Sequence, residues 1–130
     1  MQYNHLKALL VDDDEVVQLL VGHSLNSIGI ESVVASSGDE AITALNKRTF
    51  DFIIMDISMP GQDGIDSVRW IRDILNPEKN DLPIFALTNF HTPRHTEEIL
   101  KAGFNEHIIK PFDIEEFKNL LHKYFYKKIN

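Results

Sequence analysis

Four large apolar residues, Phe52-Ile53-Ile54-Met55, run without polar alternation and end in Asp56. A run that never alternates belongs to a strand buried on both faces, as at the centre of a parallel sheet covered by helices. The segment after it, Ile57-Ser58-Met59-Pro60-Gly61-Gln62-Asp63-Gly64, is rich in turn formers. Short runs at 6–11, Glu31–Ala35, 83–88 and 106–110 predict four further strands, with proline tolerated as the first residue of 83–88.

Between these runs the apolar positions recur at helical spacing. Residues 15–28 carry Val16, Leu19, Leu20, His23 and Ser27 as an interrupted stripe, backed by Val17, Val21, Leu25 and Ile28, and Gly29 is suited to end the helix. Gly38–Lys47 carries Ala41, Ile42, Ala44 and Leu45. Residues 65–75 carry Ile65, Val68, Ile71, Ile74 and Leu75, and stop before Pro77. Thr92-Pro93 places a cap residue before a first-turn proline, and that helix ends at Gly103. A last helix, 114–127, turns Phe117, Leu120, Leu121, Tyr124 and Phe125 inward. Strand and helix thus alternate five times. The pattern predicts an α/β fold, a doubly wound five-stranded parallel sheet with right-handed crossovers and five helices on its two faces.

Composition narrows the class without naming a function. The chain has 130 residues, 43% hydrophobic and 25% charged, which suits one globular domain, 1–130 with a core of about 5–127. No apolar run approaches a bilayer span, and the N-terminus lacks the pattern of a secretory signal. Cysteine is absent, which removes thiol chemistry and fits a cytoplasmic location. A net charge of −7 argues against nucleic acid or an anionic membrane as the partner of the whole domain.

The chemistry gathers at strand ends. Asp12 and Asp13 follow the first strand, Asp56 ends the third, Thr88 the fourth and Lys110 the fifth. In a doubly wound sheet the carboxyl ends of the strands share one edge, where sites form. Carboxylates gathered there repel one another, and a divalent cation relieves the conflict. Carboxylate and carbonyl oxygens without nearby His or Cys favour Mg²⁺, or Mn²⁺, over Zn²⁺. Lys110 supplies a point charge and Thr88 a hydroxyl, groups that hold phosphoryl oxygens, and an Asp carboxylate can be the nucleophile.

Val11-Asp12-Asp13, Met55 to Gly64, Ala86-Leu87-Thr88 and Ile109-Lys110-Pro111-Phe112, in that order at strand ends, make the chain resemble a response-regulator receiver domain over nearly all its length. The resemblance implies the flavodoxin-like strand order 2-1-3-4-5. It implies that Asp56 is phosphorylated from a phosphohistidine on a histidine kinase or a histidine phosphotransfer protein. Asp13, Asp56 and the backbone carbonyl of Ser58 would bind Mg²⁺ directly, and Asp12 mainly through water. Lys110 would pair with Asp56 and then with the phosphoryl group, and Thr88 would move its hydroxyl onto a phosphoryl oxygen. The Lys110–Pro111 peptide would be cis. Partner preference for an unknown downstream protein would change on the face made by the fourth helix, fifth strand and fifth helix, in a monomer or weak dimer. The chain would be a signalling phosphoacceptor and not an enzyme.

Two positions depart from the commonest family pattern. His107 stands at the switch position, where Tyr or Phe is usual, and Asn89 with Phe90 follows Thr88 in place of a small residue. Side chains of that size would slow the approach of water or a phosphatase. His91 and His95 lie four apart, but Pro93 between them favours a surface helix start over a metal pair. Tyr124, Tyr126 and the nearby lysines read as positive charge at a helix C-terminus. Two rivals are a Mg²⁺-dependent phosphohydrolase with an aspartyl nucleophile, resembling haloacid dehalogenase-like hydrolases, and a pseudo-receiver that works without phosphorylation. The first would need a cap domain for which no chain remains, and the intact set of strand-end residues argues against the second.

Overall fold

A computed structural model describes residues 3–57, 64–74, 81–89 and 92–129. The strands are β1 (Lys7–Val11), β2 (Glu31–Ala35), β3 (Phe52–Asp56), β4 (Ile84–Thr88) and β5 (Glu106–Ile109). They alternate with α1 (Glu15–Ser27), α2 (Gly38–Lys47), α3 (Gly64–Ile74), α4 (Pro93–Ala102) and α5 (Ile114–Ile129). All strand pairs are parallel, in the order β2-β1-β3-β4-β5. Alternation of elements and the expected strand order are both present.

The central strands explain why this sequence takes a two-faced sheet. Every residue of β3 and β4 is buried. Alternate side chains feed two separate cores. Leu10, Phe52, Ile54, Phe85 and Leu87 meet Val21, Leu25, Phe117 and Leu121 of α1 and α5. Leu9, Val11, Ile53, Met55, Ile84 and Ala86 meet Ala41, Leu45, Val68, Ile71 and Ile99 of α2, α3 and α4. Phe52 lies within 5.8 Å of Phe85, Phe117 and Phe125, ring centre to ring centre, the spacing of favourable aromatic packing.

Helix starts follow the capping chemistry. Asp14, Ser37 and Thr92 each accept hydrogen bonds from first-turn N–H groups of α1, α2 and α4. Gly29 and Gly103, with φ of 93° and 125°, close α1 and α4 in a backbone region that side chains disfavour.

Several expectations need correcting. In α1 the inward face is Val17, Val21, Leu25 and Ile28, whereas Val16 and Leu19 are each 74% exposed and Leu20 is exposed as well. The interrupted stripe is therefore the solvent face. Two apolar sets at helical spacing competed, and only contact with the sheet decides between them. Ile74 of α3 also faces solvent, and Leu75 lies outside the described residues. β5 is an edge strand, with Glu106, His107 and Ile108 half-buried and Ile109 exposed.

Candidate functional site

The carboxyl ends of β1, β3, β4 and β5 meet at one rim, and the backbone there is tightly tied. Asp12 N–H donates to the Ala35 carbonyl at 3.0 Å. Asp12 Oδ1 accepts from Asp14 N–H at 2.9 Å. Gln18 reaches back from α1, its Nε2 donating to the Asp12 carbonyl at 2.5 Å and to Ser36 Oγ at 3.3 Å. Beyond β5 the ladder gains one more bond, from Lys110 N–H to the Thr88 carbonyl at 2.8 Å. That bond fixes where the Lys110 side chain starts, one residue past the strand. The Lys110–Pro111 peptide is cis.

Asp12, Asp13 and Asp56 each offer a carboxylate oxygen, and these oxygens all lie within 4.8 Å of one another. Asp12 is fully buried and Asp56 nearly so, while Asp13 is exposed. Lys110 Nζ stands 3.4 Å from Asp56 Oδ1. Burial pushes the Asp12 carboxyl up to about 6, helped by the charges of Asp56 and Asp13 and opposed by Asp14 N–H and Lys110. Its Oδ2 is buried without a hydrogen-bond partner among the described residues. A buried carboxylate oxygen with no donor, on a residue clustered with two other carboxylates, is the arrangement a hard cation satisfies. The residues present therefore fit a metal ion held by oxygen ligands.

Thr88 closes β4 with its side chain fully buried. Its Oγ1 lies 3.2 Å from His95 Nε2 on α4. His107 pairs with Ala86 in the β4–β5 register and is half-buried. Asn89 is exposed and lines, with Val17, Leu87, Lys110 and Phe112, an apolar cleft of about 310 Å³ beside the rim. Ser58, whose carbonyl the resemblance assigns to the metal, and Phe90 lie outside the described residues. Thus Asp12, Asp13, Asp56 and Lys110 are brought together, and Thr88 stands at the adjacent strand end in contact with α4.

Sequence reasoning missed two participants. His95 was expected only at a surface helix start, yet its ring meets the Thr88 hydroxyl. Seven residues separate the pair, one at the end of β4 and the other in the first turn of α4. Gln18 carried no motif at all. Its one signal is a position one turn into α1, where a long amide can reach back past the N-cap.

Comparison with known proteins bears on the same rim. A family model for the response regulator receiver domain matches residues 8–122. The chain is 34% identical to the chemotaxis protein CheY-3 of Vibrio cholerae, covering 93% of this chain and 92% of CheY-3. It is 30% identical to the signal transduction histidine-protein kinase BarA of Escherichia coli, but spans only 13% of that kinase. Among solved structures, the chemotaxis protein CheY4 of Vibrio cholerae superposes with a TM-score of 0.83 at 30% identity, over 92% of this chain and 98% of that one. The receiver domain of the sensor histidine kinase PA1611 from Pseudomonas aeruginosa, which carries a magnesium ion in its active-site cleft, superposes with a TM-score of 0.80 at 30% identity, over 92% and 96%. With a match that runs from β1 into α5, the chain belongs to the response regulator receiver domain family.

Proposed function

We propose that the chain is a phosphoacceptor switch in a two-component or phosphorelay pathway, with Asp56 as the residue modified. The observation that carries this reading is the junction at Asp56. One carboxylate is shared between an acidic pair suited to a cation and the ammonium of Lys110. In the transfer, an Asp56 oxygen attacks phosphorus, the N–P bond of a phosphohistidine breaks, and the histidine nitrogen leaves with the electron pair and takes up a proton. Asp12, Asp13 and Asp56, with the Ser58 carbonyl, would hold Mg²⁺, or Mn²⁺, which supplies charge neutralisation at the phosphoryl oxygens. Lys110 pairs with Asp56 at rest and is within reach of an added phosphoryl group. Thr88 supplies a hydroxyl donor.

Residues of about 5–127 act as one receiver unit, a signalling phosphoacceptor that catalyses only its own transfer and hydrolysis. The phosphodonor is a histidine kinase or a histidine phosphotransfer protein in the cytoplasm. The output surface is the α4–β5–α5 face, where Leu100 and Ile109 stand exposed and the Thr88–His95 contact joins the site to α4. His107 belongs to this path as the β5 residue opposite Ala86.

The test is incubation with a small phosphodonor and Mg²⁺, followed by intact mass. Wild type gains one phosphoryl group and Asp56→Asn gains none. Equal labelling of both proteins sinks the assignment of Asp56. Steady turnover of a phosphate ester would make the phosphohydrolase reading the better one.

A further inference from the structure

His95 is the third residue of α4, and the sequence of contacts around it is specific. Its backbone N–H donates to Thr92 Oγ1 at 3.2 Å, so the helix cap fixes the backbone that carries the imidazole. From that turn the ring reaches Thr88 Oγ1 at 3.2 Å. A hydroxyl has a single proton, and an imidazole nitrogen donates or accepts according to tautomer. In either case the bond orients the Thr88 oxygen toward α4. The strand register agrees: Ala86 packs in the core beneath α4, and Thr88, two residues on, shares its side of the sheet.

We infer that His95 is a positioning residue that holds Thr88 in the resting arrangement. When a phosphoryl oxygen on Asp56 engages the Thr88 hydroxyl, the Thr88–His95 bond is given up. The first turn of α4 is then uncoupled from the end of β4. This inference rests on the phosphoacceptor reading and adds the place where resistance to switching resides. A two-state equilibrium responds only to contacts that differ between its states, and this bond belongs to one of them. A neutral hydrogen bond of this kind is worth about two- to tenfold in such an equilibrium. The plainer reading is that His95 merely satisfies a buried hydroxyl. In that case its loss would cost stability and leave the switch where it was.

The two readings separate in a double-mutant comparison. Thr88 is followed by its γ-methyl ¹³C resonance in the ligand-free protein, and affinity for beryllofluoride with Mg²⁺ is measured by calorimetry. The variants are His95→Ala and His95→Gln, each in wild-type and Thr88→Ala backgrounds. Alanine keeps the helix and its cap intact, since the capping bond uses the His95 backbone. His95→Ala should shift the Thr88 methyl resonance and tighten beryllofluoride binding by about two- to tenfold. His95→Gln, whose amide reaches the Nε2 position, should restore both. In the Thr88→Ala background His95→Ala should leave affinity unchanged. Unchanged or weaker binding by His95→Ala overturns the inference, as does an equal gain in the Thr88→Ala background. Wild-type protein that takes up no beryllofluoride overturns the phosphoacceptor reading, and the role of His95 with it. Uptake that is indifferent to His95 overturns the inference alone.

Discussion

Lys110 Nζ lies 3.4 Å from Asp56 Oδ1, an ammonium beside the carboxylate cluster of Asp12, Asp13 and Asp56. The ammonium therefore competes with a cation for the same oxygen cluster and cooperates with it in holding an anion. These two roles give opposite signs on substitution. Lys110→Met should bind Mg²⁺ alone more tightly, because a positive charge near the cation is gone. It should bind beryllofluoride with Mg²⁺ about tenfold or more weakly, because a charge-assisted hydrogen bond to the anion is lost. Calorimetric titration of both ligands checks the pair of signs. A variant weakened equally for both would show that Lys110 only supports the fold.

Asp12 makes the metal-free protein sensitive to pH. Its folded-state value of about 6 stands above the ordinary 3.8, so the folded protein keeps a proton that the unfolded chain has released. Stability without metal therefore falls as pH rises through the window from about 4 to 6, by on the order of 3 kcal/mol from this group. A cation that binds only the ionised site reverses the trend, and its apparent affinity weakens as pH drops below about 6. Asp12→Asn should be more stable than wild type at pH 7 without metal and should gain little from Mg²⁺. Urea unfolding across this pH range, with and without Mg²⁺, measures all of it. A wild-type curve that, without metal, shows no fall relative to that of Asp12→Asn over this range would refute the burial argument.

The fold was legible because β3 and β4 are buried on both faces and their sequences carry no other pattern. The rim was legible because its residues sit immediately at strand ends, so order along the chain translates into position in space. What could not be read were contacts made across elements. His95 meets Thr88 from the first turn of α4, and Tyr124 and Lys123 of α5 converge on Glu106 of β5, at 2.7 and 2.6 Å. Burial opposes ionisation of Glu106, and these two hydrogen bonds, together with the charges of Lys123 and His107, outweigh it, holding its pKa below the usual value. The aromatic and basic residues of α5 thus serve a carboxylate on the neighbouring strand, not only the helix terminus.

Helix α1 offers the sharpest check on what sequence periodicity misses. Leu19 and Leu25 are the same residue type, six positions apart, but one is 74% exposed and the other fully buried. Leu25→Ala should cost about 2–5 kcal/mol, the usual range for a core leucine. Leu19→Ser should change stability by less than about 0.5 kcal/mol, as surface substitutions do. Chemical denaturation of both variants settles which face is inside. Similar losses for the two would place the stripe of Val16, Leu19 and Leu20 in a buried environment after all.

Arg72 on α3 is the remaining residue whose role is visible only in the assembled structure. Its guanidinium donates to the Gly103 carbonyl at 2.9 and 3.1 Å, to the Leu82 carbonyl at 2.7 Å and to Asn105 Oδ1 at 2.8 Å. Asn105 Oδ1 also accepts from Ile84 N–H at 2.8 Å. One side chain therefore joins α3 to the entrance of β4, the end of α4 and the approach to β5. Burial lowers the Arg72 pKa, with Asp81 opposing, so the bonds must offset the loss of water around the charge. Arg72→Met would remove the guanidinium donors to the Gly103 and Leu82 carbonyls and leave Asn105 Oδ1 with Ile84 N–H, at a cost of about 2–4 kcal/mol. Arg72→Lys should recover little, because a single ammonium cannot reproduce the planar fork. The rim lies at the opposite ends of the strands, so labelling of Asp56 by a small phosphodonor should persist in both variants at a temperature where they stay folded. Urea unfolding together with intact mass tests this division. Loss of labelling in well-folded Arg72→Met would mean that the lower end of β4 and β5 sets the geometry of the rim.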